Sequence, residues 1–301
     1  MKHSVWTQWD DIRVPDGIER LTPTNSPLDT SDLSKITFYV PQYMEGRRGL
    51  EYVKRMPNLK VLQMPNAGYD DALEYLRPGL TLCNGRGIHN DSTAELAVGM
   101  AIASLRGFPQ FVLAQSQGRW DHTQFRSIND RRIGIVGFGA IGKTIARNLS
   151  GFDVEVIGFS RSGRDGAVKI EHFDEYLPSL DVVILIMPLN DESRCFFDAR
   201  RFALLRDGAL LINVARGAII DTAALITELR TGRITAALDV TDPEPLPPDH
   251  PLWKEAGVFI TPHVGGNSSA FEPRARRLIE SQLIRLAANQ PLENIVAQGR
   301  V

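Results

Sequence analysis

The stretch Ile133-Gly-Ile-Val-Gly-Phe-Gly-Ala-Ile-Gly142 decides the fold of this chain. A β-branched run leads into three glycines, Gly137, Gly139 and Gly142, and an apolar helical pattern continues to Leu149. Gly137 suits a tight turn, Gly139 lets a backbone approach a pyrophosphate, and Gly142 lets helix and strand pack closely. The helix N-terminus at Ala140, Ile141 and Gly142 then offers amide groups and a partial positive charge to phosphates. Glycine spacing alone is weak evidence. A strand before it and a helix after it make it a dinucleotide-binding turn.

Working outward, short apolar runs recur at helix-length intervals: Val154–Phe159, Val182–Met187, Leu210–Val214, Thr235–Val240 and Val258–Thr261. Upstream, Ile36–Val40, Lys60–Met64 and Leu80–Cys83 form a smaller series of the same kind. Buried strands alternating with helices predict an α/β protein with parallel sheets. The length of 301 residues exceeds a usual single core. Two α/β domains are expected, the second larger than the first. Ser92-Thr-Ala-Glu95 fits a capping box opening a helix to Leu105 that links the two. A C-terminal helix from about Glu272 to Ala288 carries an apolar stripe of Leu278, Ile279, Leu283, Ile284 and Leu286. It is expected to return to the first domain. The division expected is 1–92 with 270–301 as a discontinuous substrate (catalytic) domain, and 93–269 as the dinucleotide-binding domain.

Composition excludes several classes. Hydrophobic content of 43% and charged content of 23% are ordinary for a globular protein, and the net charge of -2 gives no footprint for nucleic acid or an anionic membrane. No run is long enough to span a bilayer and the N-terminus lacks a signal-type apolar region, so a cytoplasmic protein is expected. Cys83 and Cys195 are too few for a disulfide framework or a structural zinc site, no metal spacing appears among the histidines, and both thiols are expected to be buried and inert. His89, just before the helix that links the two domains, is an open candidate for lining a cleft between them.

The second strand of a dinucleotide fold normally ends in an acid that accepts from the adenosine ribose. Ser160 holds that place, 18 residues after Gly142, and opens the loop Ser160-Arg161-Ser162-Gly163-Arg164. Two arginines and two hydroxyls in place of a carboxylate suit a ribose 2'-phosphate. NADP is the expected cofactor, with NAD possible.

Four segments carry a family resemblance: Gly134–Gly142, Leu211-Ile-Asn-Val-Ala-Arg-Gly217, Ala237-Leu-Asp-Val-Thr-Asp-Pro-Glu-Pro245 and Thr261-Pro-His263. In order and separation they resemble the D-isomer-specific 2-hydroxyacid dehydrogenases over nearly the whole chain, and the resemblance implies two Rossmann- or flavodoxin-like parallel-sheet domains with the active site in the cleft between them. Arg216 precedes Glu244 by 28 residues, and Glu244 precedes His263 by 19. The resemblance implies that Arg216 binds substrate, that Glu244 partners His263, and that His263 is the general acid/base. It also implies that Asp239 meets the nicotinamide end of the cofactor. The backbone amides around Ala67, Gly68 and Tyr69, in Met64-Pro-Asn-Ala-Gly-Tyr-Asp70, would meet the substrate carboxylate. The chain departs from the pattern at Ser160, where the family's acid is missing.

The residue types suit that chemistry. A guanidinium can fork onto the carboxylate of a 2-keto acid and polarise its carbonyl. An imidazole can deliver a proton to the oxygen that becomes negative, and a carboxylate beside it fixes its orientation. The expected activity is NADPH-preferring reduction of a small 2-keto acid to a D-2-hydroxy acid, and its reverse, with glyoxylate or hydroxypyruvate as candidates. A homodimer is expected from the resemblance. The alternative is a nicotinamide-sensing, corepressor-like interaction protein, since such relatives can keep the same three residues.

Overall fold

A computed structural model describes residues 3–299, and the chain divides into two compact units. The second unit is Asn90–Ser268, and the first is built from the chain on either side of it.

The first unit opens with β1 (His3–Trp6), β2 (Ile18–Leu21), β3 (Phe38–Tyr39), the short helix α1 (Arg47–Glu51), β4 (Val61–Gln63) and β5 (Thr81–Cys83). The expected strands at residues 36–40, 60–64 and 80–83 form, each somewhat shorter. β1 and β2 were not anticipated, because Ile18-Glu-Arg-Leu21 has no apolar run and sits at the sheet edge.

The second unit begins with α2 (Asn90–Leu105) and α3 (Phe108–Ser116). β6 (Arg131–Val136), α4 (Ala140–Leu149), β7 (Val154–Ser160) and β8 (Val168–Lys169) follow. The short helix α5 (Phe173–Tyr176), β9 (Val182–Leu185), α6 (Ala199–Leu204), β10 (Leu210–Asn213), α7 (Thr222–Arg230), β11 (Thr235–Leu238) and β12 (Val258–Ile260) complete it. Its seven strands lie in the order β12-β11-β10-β9-β6-β7-β8, all parallel. Strands covered on both faces read as continuous apolar runs, because successive side chains point to opposite sides. In β9, Val182 and Ile184 join the core beneath α2 and α4, while Val183 and Leu185 join the core around Phe159, Phe173 and Phe202.

The predicted capping box does not form. α2 starts at Asn90, so Ser92 lies inside the helix, and its hydroxyl bonds that of Ser268 at 2.6 Å. Glu95 is exposed. A tertiary partner for Ser92 has replaced the local one.

The chain returns to the first unit through α8 (Phe271–Ala287) and β13 (Ile295–Gln298). The six-stranded sheet there runs β13-β5-β4-β3-β1-β2, parallel except for β13 against β5. Phe271, Ala275, Ile279 and Leu283 of α8 pack with Val5, Phe38, Val61 and Cys83. Ile279 and Leu283 are fully buried there, worth about 1.5–3 kcal/mol each. Ile284, assigned to the same stripe, is instead 59% exposed, because the buried face runs through Ala275, Ile279, Gln282 and Leu283. Among the described residues no single helix is long and apolar enough to cross a membrane.

Candidate active site

The glycine turn joins β6 to α4, in the middle of the second unit's sheet. Gly137 has φ +106°, and a Cβ there would lie 2.5 Å from the Ile186 carbonyl oxygen, so only glycine fits. A Cβ on Gly142 would lie 2.3 Å from the Gly137 carbonyl oxygen, which sets how closely α4 docks on the turn. Gly139 differs: a Cβ there meets nothing within 4 Å. Its backbone borders open space at the first turn of α4, where exposed Ala140 and half-buried Ile141 follow. This is the cradle a pyrophosphate requires, with helix amides facing it.

β7 ends at Ser160, and the loop turns sharply after it. The Gly163 amide donates to Ser160 Oγ at 3.1 Å and the Arg164 amide to Ser162 Oγ at 3.4 Å. Both hydroxyls therefore act as acceptors within the loop, and each keeps its own hydrogen for donation outward. Arg161, expected to await a phosphate, is paired with Glu192 at 3.0 Å. Lys143, in the first turns of α4, pairs with Asp165 at 2.6 Å.

Arg216, Asp239, Glu244 and His263 follow β10, β11 and β12, three adjacent strands, at their carboxyl ends. Ligands bind open parallel sheets at that end. Fully buried Asn213 closes β10: its Nδ2 donates to the Arg216 carbonyl at 2.9 Å and its Oδ1 accepts from the Ala215 amide. Arg216 itself donates through Nη1 to the Ala215 carbonyl at 2.7 Å. His263 Nδ1 bonds Glu244 Oε1. Nδ1 is thus engaged, and the ring's other nitrogen is left for different work. Burial acts to raise the Glu244 carboxyl, but the hydrogen bond and charge of His263, a Thr241 backbone bond and the charge of Arg216 outweigh it. Glu244 is held below its ordinary value of 4.5 and loses its charge only as pH falls through that lowered value. The three residues therefore form one electrostatic group.

His263 has φ +54°, sparsely populated for a residue with a side chain. The surrounding bonds enforce it. Its amide donates to the Asp239 carbonyl at 2.7 Å, and the buried Asp239 carboxylate accepts from Thr261 Oγ1, the Val264 amide and the Gly265 amide at 2.6, 2.8 and 2.9 Å. Thr93 of α2 donates to the Gly265 carbonyl at 3.2 Å. The Asp239 carboxylate thus holds the His263 loop.

The remaining candidates lie elsewhere. Ala67, Gly68 and Tyr69 belong to the first unit, after β4, where Asn84 Nδ2 fixes the Ala67 carbonyl at 2.8 Å and Gly85 the Asn66 carbonyl at 2.7 Å. His89 is buried in that same unit, stacked on Phe271 with ring centroids 5.3 Å apart and an interplanar angle of 11°. Cys83 is buried as expected, but Cys195 is exposed, with φ +50° in a loop outside the sheet. Its apolar neighbours Phe196 and Phe197 misled the sequence reading, since only Phe197 reaches the core fully. Among the described residues no group of three or more His, Cys, Asp or Glu is placed to hold a metal ion.

Residues 98–265, more than half of the chain, match the profile of the D-isomer specific 2-hydroxyacid dehydrogenase, NAD binding domain. The chain is 33% identical to a glyoxylate reductase from Thermofilum pendens, over 75% of this chain and 70% of that protein. The chain belongs to the D-isomer specific 2-hydroxyacid dehydrogenase family. It is also 30% identical to a D-3-phosphoglycerate dehydrogenase from Archaeoglobus fulgidus over 82% of this chain, but it spans only about half of that relative, 49% of its length. An NADPH-dependent glyoxylate/hydroxypyruvate reductase from Sinorhizobium meliloti, solved with NADP and sulfate, superposes with a TM-score of 0.82 at 26% identity, covering 98% of each chain.

In this 2-hydroxyacid dehydrogenase family member, sequence reasoning missed two supporting residues. A Cβ on Gly217 would lie 1.9 Å from the Thr241 carbonyl oxygen, so the loop carrying Glu244 rests directly on that backbone. Asn213 anchors Arg216 from behind, and its signal was present: a buried amide ending the apolar run Leu210-Leu-Ile212. Gly217 carried no such signal, because its constraint comes from a segment 24 residues downstream.

Proposed function

We propose that this protein reduces a small 2-keto acid to a D-2-hydroxy acid, and runs the reverse, with NADPH preferred over NADH. The observation carrying this reading is the His263–Glu244 pair within the charge field of Arg216, on the sheet end that also bears the glycine turn. The fold's dinucleotide, when bound, supplies the hydride.

The turn of Gly137, Gly139, Ala140, Ile141 and Gly142 binds the pyrophosphate through backbone amides, for which the open space at Gly139 leaves room. Ser160, Arg161, Ser162 and Arg164 hold the ribose 2'-phosphate. Asp239 serves the nicotinamide end of the site, acting there by holding the Thr261–Gly265 loop. Arg216 forks onto the substrate carboxylate and polarises the carbonyl. The amides around Ala67, Gly68 and Tyr69 are assigned to the substrate carboxylate on the family pattern alone.

His263 donates its proton to the carbonyl oxygen as negative charge develops there, and takes it back in the oxidative direction. With Nδ1 on Glu244, the donating atom is Nε2. Glu244 fixes the ring and balances its positive charge. The chain supplies this protein chemistry whichever side chain the keto acid bears. A cytoplasmic homodimer is the state proposed.

The test is a panel of small 2-keto acids, glyoxylate and hydroxypyruvate first, with NADPH and NADH followed at the nicotinamide absorbance. The reading expects turnover of at least one short keto acid and a higher kcat/KM with NADPH. No turnover of any 2-keto acid with either cofactor would refute it.

A further inference from the structure

We infer that Glu192 is a specificity-determining residue: its carboxylate competes with a ribose 2'-phosphate for Arg161 and so sets how strongly the protein prefers the phosphorylated cofactor. The inference rests on the cofactor reading above and extends it to a segment distant in sequence, the loop after β9.

Arg161 Nη2 lies 3.0 Å from Glu192 Oε2. The Glu192 backbone is held by its turn, and its side chain is exposed. Asn190 Oδ1 accepts from the Glu192 and Ser193 amides, both at 3.0 Å, and buried Ser193 donates its hydroxyl to the Pro188 carbonyl at 2.8 Å. A hydrogen-bonded turn therefore presents one exposed carboxylate to Arg161. The two side chains are 74% and 78% exposed, so they can separate without leaving a buried charge. Lys143 of α4 is likewise paired, with Asp165. Arg161, which reads in sequence as open to a phosphate, thus already has a carboxylate partner.

A phosphate monoester carries nearly two negative charges and three acceptor oxygens, against one charge on a carboxylate. On the same guanidinium it wins the exchange, but the exchange is not free. An exposed ion pair contributes up to about fivefold to an equilibrium. The displaced carboxylate then stays close to the phosphate and repels it at low salt. A cofactor without the 2'-phosphate leaves the Arg161–Glu192 pair in place and meets neither cost. Glu192 thus penalises only the phosphorylated ligand.

The test is calorimetric binding of 2',5'-ADP and of 5'-AMP to the wild type and to Glu192→Gln, at low and at high salt. These fragments report the adenosine end without turnover. Glu192→Gln is expected to tighten 2',5'-ADP by roughly three- to tenfold at low salt, less at high salt, and to leave 5'-AMP within about twofold. Wild type preferring 2',5'-ADP with no gain in the variant overturns the role of Glu192 and leaves the cofactor reading intact. Wild type indifferent to the 2'-phosphate but gaining a preference in the variant supports Glu192 as competitor and overturns the NADPH preference. Indifference in both proteins overturns both, and equal tightening of the two ligands overturns the role of Glu192, since it marks a general charge effect.

Discussion

Gly217→Ala is expected to disable the site while sparing the dinucleotide turn. An added methyl group would start 1.9 Å from the Thr241 carbonyl oxygen, against ordinary contact at 3.4 Å or more, so one backbone must retreat by about 1.5 Å. Gly217 follows Arg216 directly and opens the turn Gly217–Ile219, whose far end is buried at Ile219. Residues 242–244 are exposed, tied to the second unit by Thr222 Oγ1 to the Asp242 carbonyl at 3.0 Å and by the bond of Glu244 to His263. The loop therefore gives way, carrying Glu244 from His263. A 1 Å misplacement of catalytic groups can cost about a hundredfold, so a loss in kcat of that order is expected for the proposed reaction. Overpacking costs about 1–3 kcal/mol of stability, which leaves a typical domain folded at room temperature. The assay pairs NADPH oxidation by a 2-keto acid with dinucleotide affinity measured by nicotinamide fluorescence. The expected result is a large fall in kcat with affinity within about threefold, since the Gly137–Gly142 turn is a separate element. A folded variant with near-normal kcat would show that the loop does not position Glu244. Loss of cofactor affinity along with kcat would show that the damage is not local.

Other outcomes follow from the same geometry. His263→Ala should lower turnover by roughly a hundred- to ten-thousandfold with cofactor binding retained, and a variant keeping most of the wild-type rate would remove His263 from the proton path. Arg216→Lys keeps the charge and loses the fork, so kcat/KM for the keto acid should fall at least about tenfold, while unchanged kinetics would place Arg216 away from the substrate. Burial pushes the Cys83 thiol up to about 12, against which its hydrogen bond with Gln282 acts only weakly. Its reactive thiolate is therefore absent at pH 8, whereas Cys195 is exposed. A disulfide reagent at that pH should label one thiol per native chain quickly and the second only after denaturation. Rapid labelling of both, or of neither, would contradict the burial assigned to them.

The α/β class, most of the strands and the glycine turn could be read from the sequence. These were legible because their causes are local or periodic. Unbroken apolar runs mean strands covered on both faces, and a glycine turn between strand and helix is specified within ten residues. Arg216, Glu244 and His263 were singled out by the resemblance of their motifs to a known family. The tertiary structure decided how these residues are held. Asp239 clamps the His263 loop through three donors separated from it by more than 20 residues, and Ser92 trades a local cap for Ser268 across 176 positions. The pairing of Arg161 with Glu192 and the collision that reserves position 217 for glycine depend likewise on segments far apart in the chain. Edge strands such as β2 also escaped the sequence, because an edge needs no apolar run to be paired on one side. Each of these is set by which groups the folded backbone brings within hydrogen-bond or van der Waals distance, and no pattern in a single stretch of residues encodes that.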